Sequence, residues 1–198
     1  MKLFLATGNV HKVEEMIRIL DSPPGVDILS VRDGIRIPEI IEDGNSFEEN
    51  AIKKALGIAK YLNMTVIADD SGLEVAALKG EPGIHSARYA GVHGNDRDNN
   101  KKLIGNLKGA ADRSAKFVCV ICVGKPDGQY VTFRGEVSGE ITDVPRGENG
   151  FGYDPHFFLK SMGKTMAEMS PEEKNAVSHR GKALSLLKSN LQKFLENN

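Results

Sequence analysis

Tryptophan is absent from this 198-residue chain, and cysteine occurs only twice, at Cys119 and Cys122. Two cysteines exclude the disulfide framework of a small secreted module. A charge excess of either sign is missing too. The 26 Lys and Arg face 27 Asp and Glu, so the net charge is −1. That argues against a protein whose main task is to coat nucleic acid, since such domains are usually basic. It leaves room for a local basic pocket that takes a phosphate-bearing small molecule. No apolar run nears the roughly 20 residues a membrane helix needs. The apolar part of Met1-Lys2-Leu3-Phe4-Leu5 is too short for a signal peptide. With 40% hydrophobic and 27% charged residues, the composition is that of a globular protein. The expectation is a cytoplasmic protein with one domain over residues 1–198 and room for two lobes.

Periodicity organises the chain. Lys2 to Ala6 reads as a short strand that Thr7-Gly8-Asn9 ends. Val10, Val13, Met16, Ile17 and Leu20 have helical spacing, and Pro23-Pro24-Gly25 stops that helix. Val26 to Val31 reads as a strand, followed by an acidic loop through Glu39, Glu42 and Asp43. Ser46-Phe47-Glu48-Glu49 predicts a capping box and a helix to about Leu62. Met64 to Ala68 is the next strand, ending in Asp69-Asp70-Ser71-Gly72, with another strand over Leu73 to Leu78. Residues 79–94 read as a loop, and Asp96 to Leu107 as a polar helix. Ala115 to Val123 and Gln129 to Val137 form a hairpin around Pro126-Asp127-Gly128. Pro145 to Pro155 is Gly-rich, and His156 to Leu159 is a short strand. Ser170-Pro171-Glu172-Glu173 is a second capping box. Helical spacing returns at Ala183, Leu184, Leu187, Leu191 and Leu195. A βα start and a hairpin middle predict an α/β domain with a mixed sheet.

Several places carry chemistry, each against a plainer reading. Thr7 to Lys12 lies where a strand hands over to a helix, a natural anion site. Lys12 sits in the first turn, where the helix dipole disfavours a cation unless an anion is also present. An ordinary capped helix with a solvated lysine is the alternative, and the P-loop spacing is absent. Asp69 and Asp70, adjacent on a strand, would face opposite ways. With Glu42 and Asp43 they offer hard oxygen ligands of the kind Mg²⁺ takes. The alternative is a polar turn. Phe151 on its Gly-rich loop can stack on a flat base, and Asp154 can read its edge, whereas Phe157 and Phe158 read as core. Lys174, His179 and Arg180 can neutralise phosphates or donate to base carbonyls, or they form a solvated basic face. Cys119-x-x-Cys122 is neither redox nor zinc chemistry. On a strand the two side chains point to opposite faces, and His11, His85, His93, His156 and His179 show no metal-ligand spacing.

The order of these blocks is more specific than any one of them. Thr7-Gly8-Asn9-x-x-Lys12, Ser46-Phe47-x-Glu49-Asn50-Ala51 and Ala68-Asp69-Asp70-Ser71-Gly72-Leu73 come first. Pro82-Gly83-Ile84-His85-Ser86-Ala87-Arg88-Tyr89, Gly150-Phe151-Gly152-Tyr153-Asp154-Pro155, Glu173-Lys174-Asn175 and Ser178-His179-Arg180-Gly181 follow. In this order the chain resembles the inosine triphosphate pyrophosphatase family, also called dITP/XTP pyrophosphatases, from residue 3 to about 187. The resemblance implies an elongated mixed β-sheet flanked by helices, two lobes with a central cleft, and a homodimer. It implies Mg²⁺-dependent hydrolysis of ITP, dITP and XTP to the monophosphate and pyrophosphate, clearing deaminated purines from the nucleotide pool. By the same resemblance, Thr7, Gly8, Asn9, Val10, His11 and Lys12 hold the triphosphate. Glu42 and Asp70 hold Mg²⁺, Asp70 is the proton acceptor for the attacking water, and Ser71 touches substrate. Phe151, Gly152, Tyr153, Asp154, Lys174, His179 and Arg180 complete the nucleotide pocket. The expected partner is a small nucleotide, not nucleic acid or a membrane. The rivals are a pyrophosphatase for modified pyrimidine triphosphates, a nucleotide sensor without turnover, and a nucleic-acid-binding domain.

Overall fold

A computed structural model describes residues 2–20 and 25–196. Strands β1 (Lys2–Leu5), β2 (Asp27–Ser30) and β3 (Thr65–Val75) are joined through helices α1 (Val10–Leu20) and α2 (Phe47–Leu62). Helix α3 (Asp96–Asn106) precedes the long strands β4 (Ser114–Gly124) and β5 (Tyr130–Ile141). Strands β6 (Phe157–Leu159) and β7 (Lys164–Thr165) then lead to helices α4 (Pro171–Val177) and α5 (His179–Glu196). One sheet has the order β2-β1-β3-β4-β5-β6-β7. β1 pairs parallel with β2 and β3, while β6 pairs antiparallel with β5 and β7. Parallel neighbours need a crossover, and α1 and α2 supply one each. The sheet is therefore mixed, as the pattern predicted.

The chain divides into two compact units. Unit 1 comprises Met1–Asp70, Cys119–Gly135 and Arg180–Asn198; unit 2 comprises Ser71–Val118 and Glu136–His179. In unit 1, α1 buries Val13, Met16 and Leu20, and α5 buries Ala183, Leu184, Leu187 and Leu191. These i, i+3, i+4 stripes meet Leu3, Leu5, Ile67, Cys119, Ile121 and Val123 from the strands. Cys119 thus shares a face with Ile121 and Val123. Cys122 lies on the other face, so the two thiols are free and buried core groups. Burial pushes both up to about 12, which keeps them protonated and inert. Unit 2 has its own core, built around Leu73, Leu103, Phe117, Phe157 and Met166.

The structure corrects several local expectations. β3 is one continuous strand through Asp69-Asp70-Ser71-Gly72, which neither ends a strand nor forms a turn. The acids therefore stand mid-strand rather than beyond a strand's carboxyl end. Ala76–Leu78 and Gly83–Arg88 are 3₁₀ turns, and β7 is a strand that two residues were too few to announce. Ser46 caps Glu49 N–H as predicted, but the Glu49 carboxylate accepts from Asn45 N–H rather than from Ser46. The second capping box, at Ser170 and Glu173, is complete in both directions. Helix α1 runs to Leu20 as its spacing predicted, while the predicted stop at Pro23-Pro24 lies outside the described residues.

Neighbouring leucines on α5 test the assignment of its buried face. Leu187 is fully buried and Leu186 is 49% exposed. Leu187→Ala should cost about 2–5 kcal/mol in denaturant unfolding, and Leu186→Ala less than about 1 kcal/mol. Equal losses would contradict the packing.

Candidate active site

In unit 1 the loop before α1 begins the site. Asn9 Oδ1 accepts from the amides of His11 at 3.0 Å and Lys12 at 3.2 Å, and Thr7 Oγ1 accepts from Asn9 N–H. Asn9 thereby acts as the helix cap and takes two amides that an anion would otherwise meet. Gly8, Asn9, Val10 and His11 are exposed. Lys12 is turned inward, with Nζ 2.7 Å from Asp69 Oδ2. The anion that its place in the first turn called for is a side chain of β3.

Asp69 and Asp70 are treated oppositely. The Asp69 side chain is 1% exposed and receives Lys12 and, at 3.3 Å, Arg180 Nη2. Arg180 in turn meets Glu15 of α1 at 2.7 Å through Nη1. Burial alone would raise the Asp69 pKa. Lys12, Arg180 and Lys54 outweigh it and hold the carboxyl well below the usual carboxylate range. Asp70 is directed to the other face, where Asn50 Nδ2 of α2 donates to Oδ2 at 3.0 Å. Burial pushes Asp70 up to about 6, despite the lowering influence of Lys54 and of the Asn50 bond. The repulsion of Glu42 adds to the rise.

Helix α2 builds this second face. Asn50 and Lys54 are four apart and share one side of the helix. Asn50 Oδ1 accepts from Gly44 N–H at 2.8 Å, tying the acidic loop to the helix that holds Asp70. Lys54 Nζ lies 2.6 Å from Glu42 Oε1 and donates to the Asp69 carbonyl at 3.0 Å. Burial would lower Lys54, but Asp69 and Glu42 overcome it and raise its pKa, so the ammonium stays charged. Asp43 pairs with Lys53 at the surface. In the sequence Asn50 stands out only as part of a motif, and no local pattern marks Lys54. A buried asparagine among the apolar positions Phe47, Ala51, Ala55 and Ile58 was the signal available.

In unit 2 the Gly-rich loop forms a compact cluster. Asp154 Oδ2 accepts from Phe151 N–H at 2.9 Å and from Lys174 Nζ at 2.7 Å. The same Nζ stands 4.8 Å from the centre of the Phe151 ring, a cation–π distance. Gly150 has φ +77°, and a Cβ there would run into the Asp154 carboxylate, so glycine is required. His179 stacks on Phe117 with centroids 4.7 Å apart. Tyr153 is a core residue, its hydroxyl donating to the Ser86 carbonyl at 2.8 Å. Lys174, His179 and Arg180 are all nearly fully buried, which overturns the reading of a solvated basic face. Lys174 joins the Phe151 cluster, His179 packs on Phe117, and Arg180 joins Asp69. Ser71 follows Asp70 in β3 and is half-buried.

The oxygen donors of Glu42 and Asp70 suit a hard divalent cation. Among the described residues no group of three or more His, Cys, Asp or Glu forms a metal cage. Two carboxylates would leave the rest of such a cation's shell to water and other oxygen ligands. A concavity of about 630 Å³ on unit 2 lies apart from this chemistry. Its charges are engaged with one another, Lys116 with Glu74 and Lys160 with Glu140.

Comparison with known proteins gives the chain's family. The model of the Ham1 family matches residues 3–190. The dITP/XTP pyrophosphatase of Syntrophobacter fumaroxidans is 50% identical over 194 residues, 98% of this chain and 83% of the relative. That of Geobacter sulfurreducens is 50% identical over 192 residues, 96% of each chain. The structure of the Staphylococcus aureus Ham1 protein superposes with a TM-score of 0.88 at 46% identity, covering 98% of this chain and all of that one. From the first strand to the last helix, this chain belongs to the Ham1 family.

Proposed function

We propose that the chain hydrolyses non-standard purine nucleoside triphosphates, ITP, dITP and XTP, to the monophosphate and pyrophosphate. The observation that carries the reading is the mid-strand pair Asp69-Asp70, one carboxylate neutralised by buried cations and the other held protonatable by burial. The names of the relatives, dITP/XTP pyrophosphatases, support the same reaction.

Water attacks the α-phosphorus, forming a new P–O bond as the α–β anhydride bond breaks and pyrophosphate leaves. Asp70 accepts the proton that water loses. Glu42 and Asp70 are the residues that would hold Mg²⁺, which when bound offsets phosphate charge and polarises the anhydride. Asn50 orients the Asp70 carboxylate, and Lys54 keeps Glu42 beside it. Thr7, Gly8, Asn9, Val10, His11 and Lys12 form the triphosphate end. Positioning and charge stabilisation are sufficient for phosphoryl transfer, so no Ser or Cys nucleophile is required.

The groups of unit 2 suit a purine. Phe151 offers a ring for stacking with Asp154 and Lys174 beside it, and Gly152 and His179 complete our assignment of the base end. Inosine and xanthine present a 6-oxo acceptor where adenine has an amino group, so a donor there favours them. The reading includes Mg²⁺ as the cation, residues 1–198 as one functional domain with two lobes, a homodimer and a cytoplasmic location. Among the described residues no helix is long and apolar enough to cross a membrane.

Pyrophosphate release from ITP, XTP, dITP, ATP, GTP and dUTP tests the reaction. Fast release from the first three, slow release from the rest and none in EDTA are expected. Preference for dUTP would favour the pyrimidine rival, and binding of ITP without turnover the sensor. Asp70→Asn should lower kcat by about 100-fold or more while ITP still binds. The same change should stabilise the metal-free protein. The folded-state proton affinity of Asp70 is raised above the unfolded 3.8 to about 6. The stability it confers is therefore full below pH 3.8 and is lost as pH rises through about 6. Asp70→Asn should gain up to about 3 kcal/mol at neutral pH and little near pH 4. Full activity of Asp70→Asn would exclude the base assignment, and no gain at neutral pH would exclude the buried carboxylate.

A further inference from the structure

The loop from Phe151 to Asp154 carries the base end of the reading above, and this inference rests on that reading. Beside the Tyr153 hydroxyl bond to the Ser86 carbonyl, two side-chain anchors hold the Phe151–Gly152 end of the loop within unit 2. One anchor is its own Asp154, which takes the Phe151 N–H and is itself held by Lys174. The other comes from α3. Asp96 Oδ2 accepts the Gly152 N–H at 2.6 Å, and Asn100 Nδ2 donates to the Gly152 carbonyl at 2.8 Å. Asn100 Nδ2 also donates to the Asp96 carbonyl at 2.9 Å. Asp96 and Asn100 are four apart, so they share one face of α3 and grip both backbone groups of a single residue. The Asp96 bond is charge-assisted, and its carboxylate stands in the first turn, where the helix dipole favours it. Gly152 has φ +62° and open space where a Cβ would stand, so its backbone conformation rather than crowding demands glycine. Phe151 lies between the two anchors.

We propose that Asp96 and Asn100 are positioning residues that clamp Gly152, and through it fix the Phe151 ring and the adjoining backbone that discriminate purine bases. Neither belongs to the phosphate end. Releasing the clamp therefore affects recognition of the base more than the chemistry at phosphorus. Discrimination between bases that differ by one exocyclic group depends on placing donors to within a fraction of an ångström, which a glycine free to reorient next to Phe151 does not provide.

The test compares Asp96→Ala and Asn100→Asp with two controls. Asp96→Asn keeps an acceptor oxygen for Gly152. Asp98→Ala disturbs the same helix end, where Asn95 Nδ2 donates to Asp98 Oδ2 at 2.7 Å, without touching Gly152. Amide hydrogen exchange at Gly152 reads the clamp, and kcat and KM for ITP and GTP read its consequence. Asp96→Ala and Asn100→Asp should speed Gly152 exchange and raise KM for ITP roughly tenfold, with kcat within about twofold. Selectivity for ITP over GTP should fall. Asp96→Asn should restore KM, and Asp98→Ala should leave it unchanged. Unaltered Gly152 exchange in Asp96→Ala would overturn the clamp. Faster exchange with unchanged KM and selectivity, or an equal KM rise in Asp98→Ala, would overturn the positioning role. Absence of ITP turnover in the wild-type protein would overturn the functional reading and the role built on it, and this shows before any variant is made.

Discussion

A carboxylate with 1% of its side chain exposed stays ionised only with cations beside it. Asp69 is that group, and unit 1 is arranged around it. Lys12 reaches it from α1, Arg180 from α5, and Lys54 of α2 binds its backbone carbonyl. Removing one partner from such a buried pair typically costs about 3–5 kcal/mol, because the remaining charge is stranded. Three helices are thereby tied to the middle of β3. The same contact explains a cation in the first turn of α1, where the dipole alone would disfavour it.

The next residue inherits the consequence. The strand's pleat turns Asp70 away from Lys12 and Arg180 toward Asn50, where burial dominates. Two adjacent carboxylates so acquire opposed proton affinities, the pattern by which a site separates a fixed charge from a proton acceptor. The fold holds Asp70 in a place that is unfavourable for its charge, a common compromise at functional sites. A cation arriving with phosphates would relieve it, which links stability, metal and chemistry in one side chain.

Much of this was legible because it is local. Apolar spacing gave α1 and α5, the capping signature at Ser46 gave α2, Ser170 gave a complete cap, and hairpin chemistry gave the β4–β5 turn. The order of motifs pointed to the family before any contact was known. What stayed hidden is non-local. A run of Asp-Asp-Ser-Gly looks like a turn, yet its neighbours in the sheet make it strand. Lys12 reads as a phosphate ligand from its place in the first turn, and only the fold shows its ion pair with Asp69. Lys54, Asn50, Asp96 and Asn100 matter through partners many positions away, which spacing within a helix does not reveal. Arg180 reads as a surface cation from composition, while its two ion pairs bury it.

The central claim is that β3 holds neighbouring carboxylates in opposite protonation regimes. Carbon-13 NMR titration of the aspartate carboxyls in the metal-free protein, assigned with Asp69→Asn and Asp70→Asn, measures this directly. The account predicts that the Asp70 signal titrates near pH 6, while the Asp69 signal stays that of a carboxylate to the lowest pH the fold survives. Two signals moving together near pH 4 would contradict it.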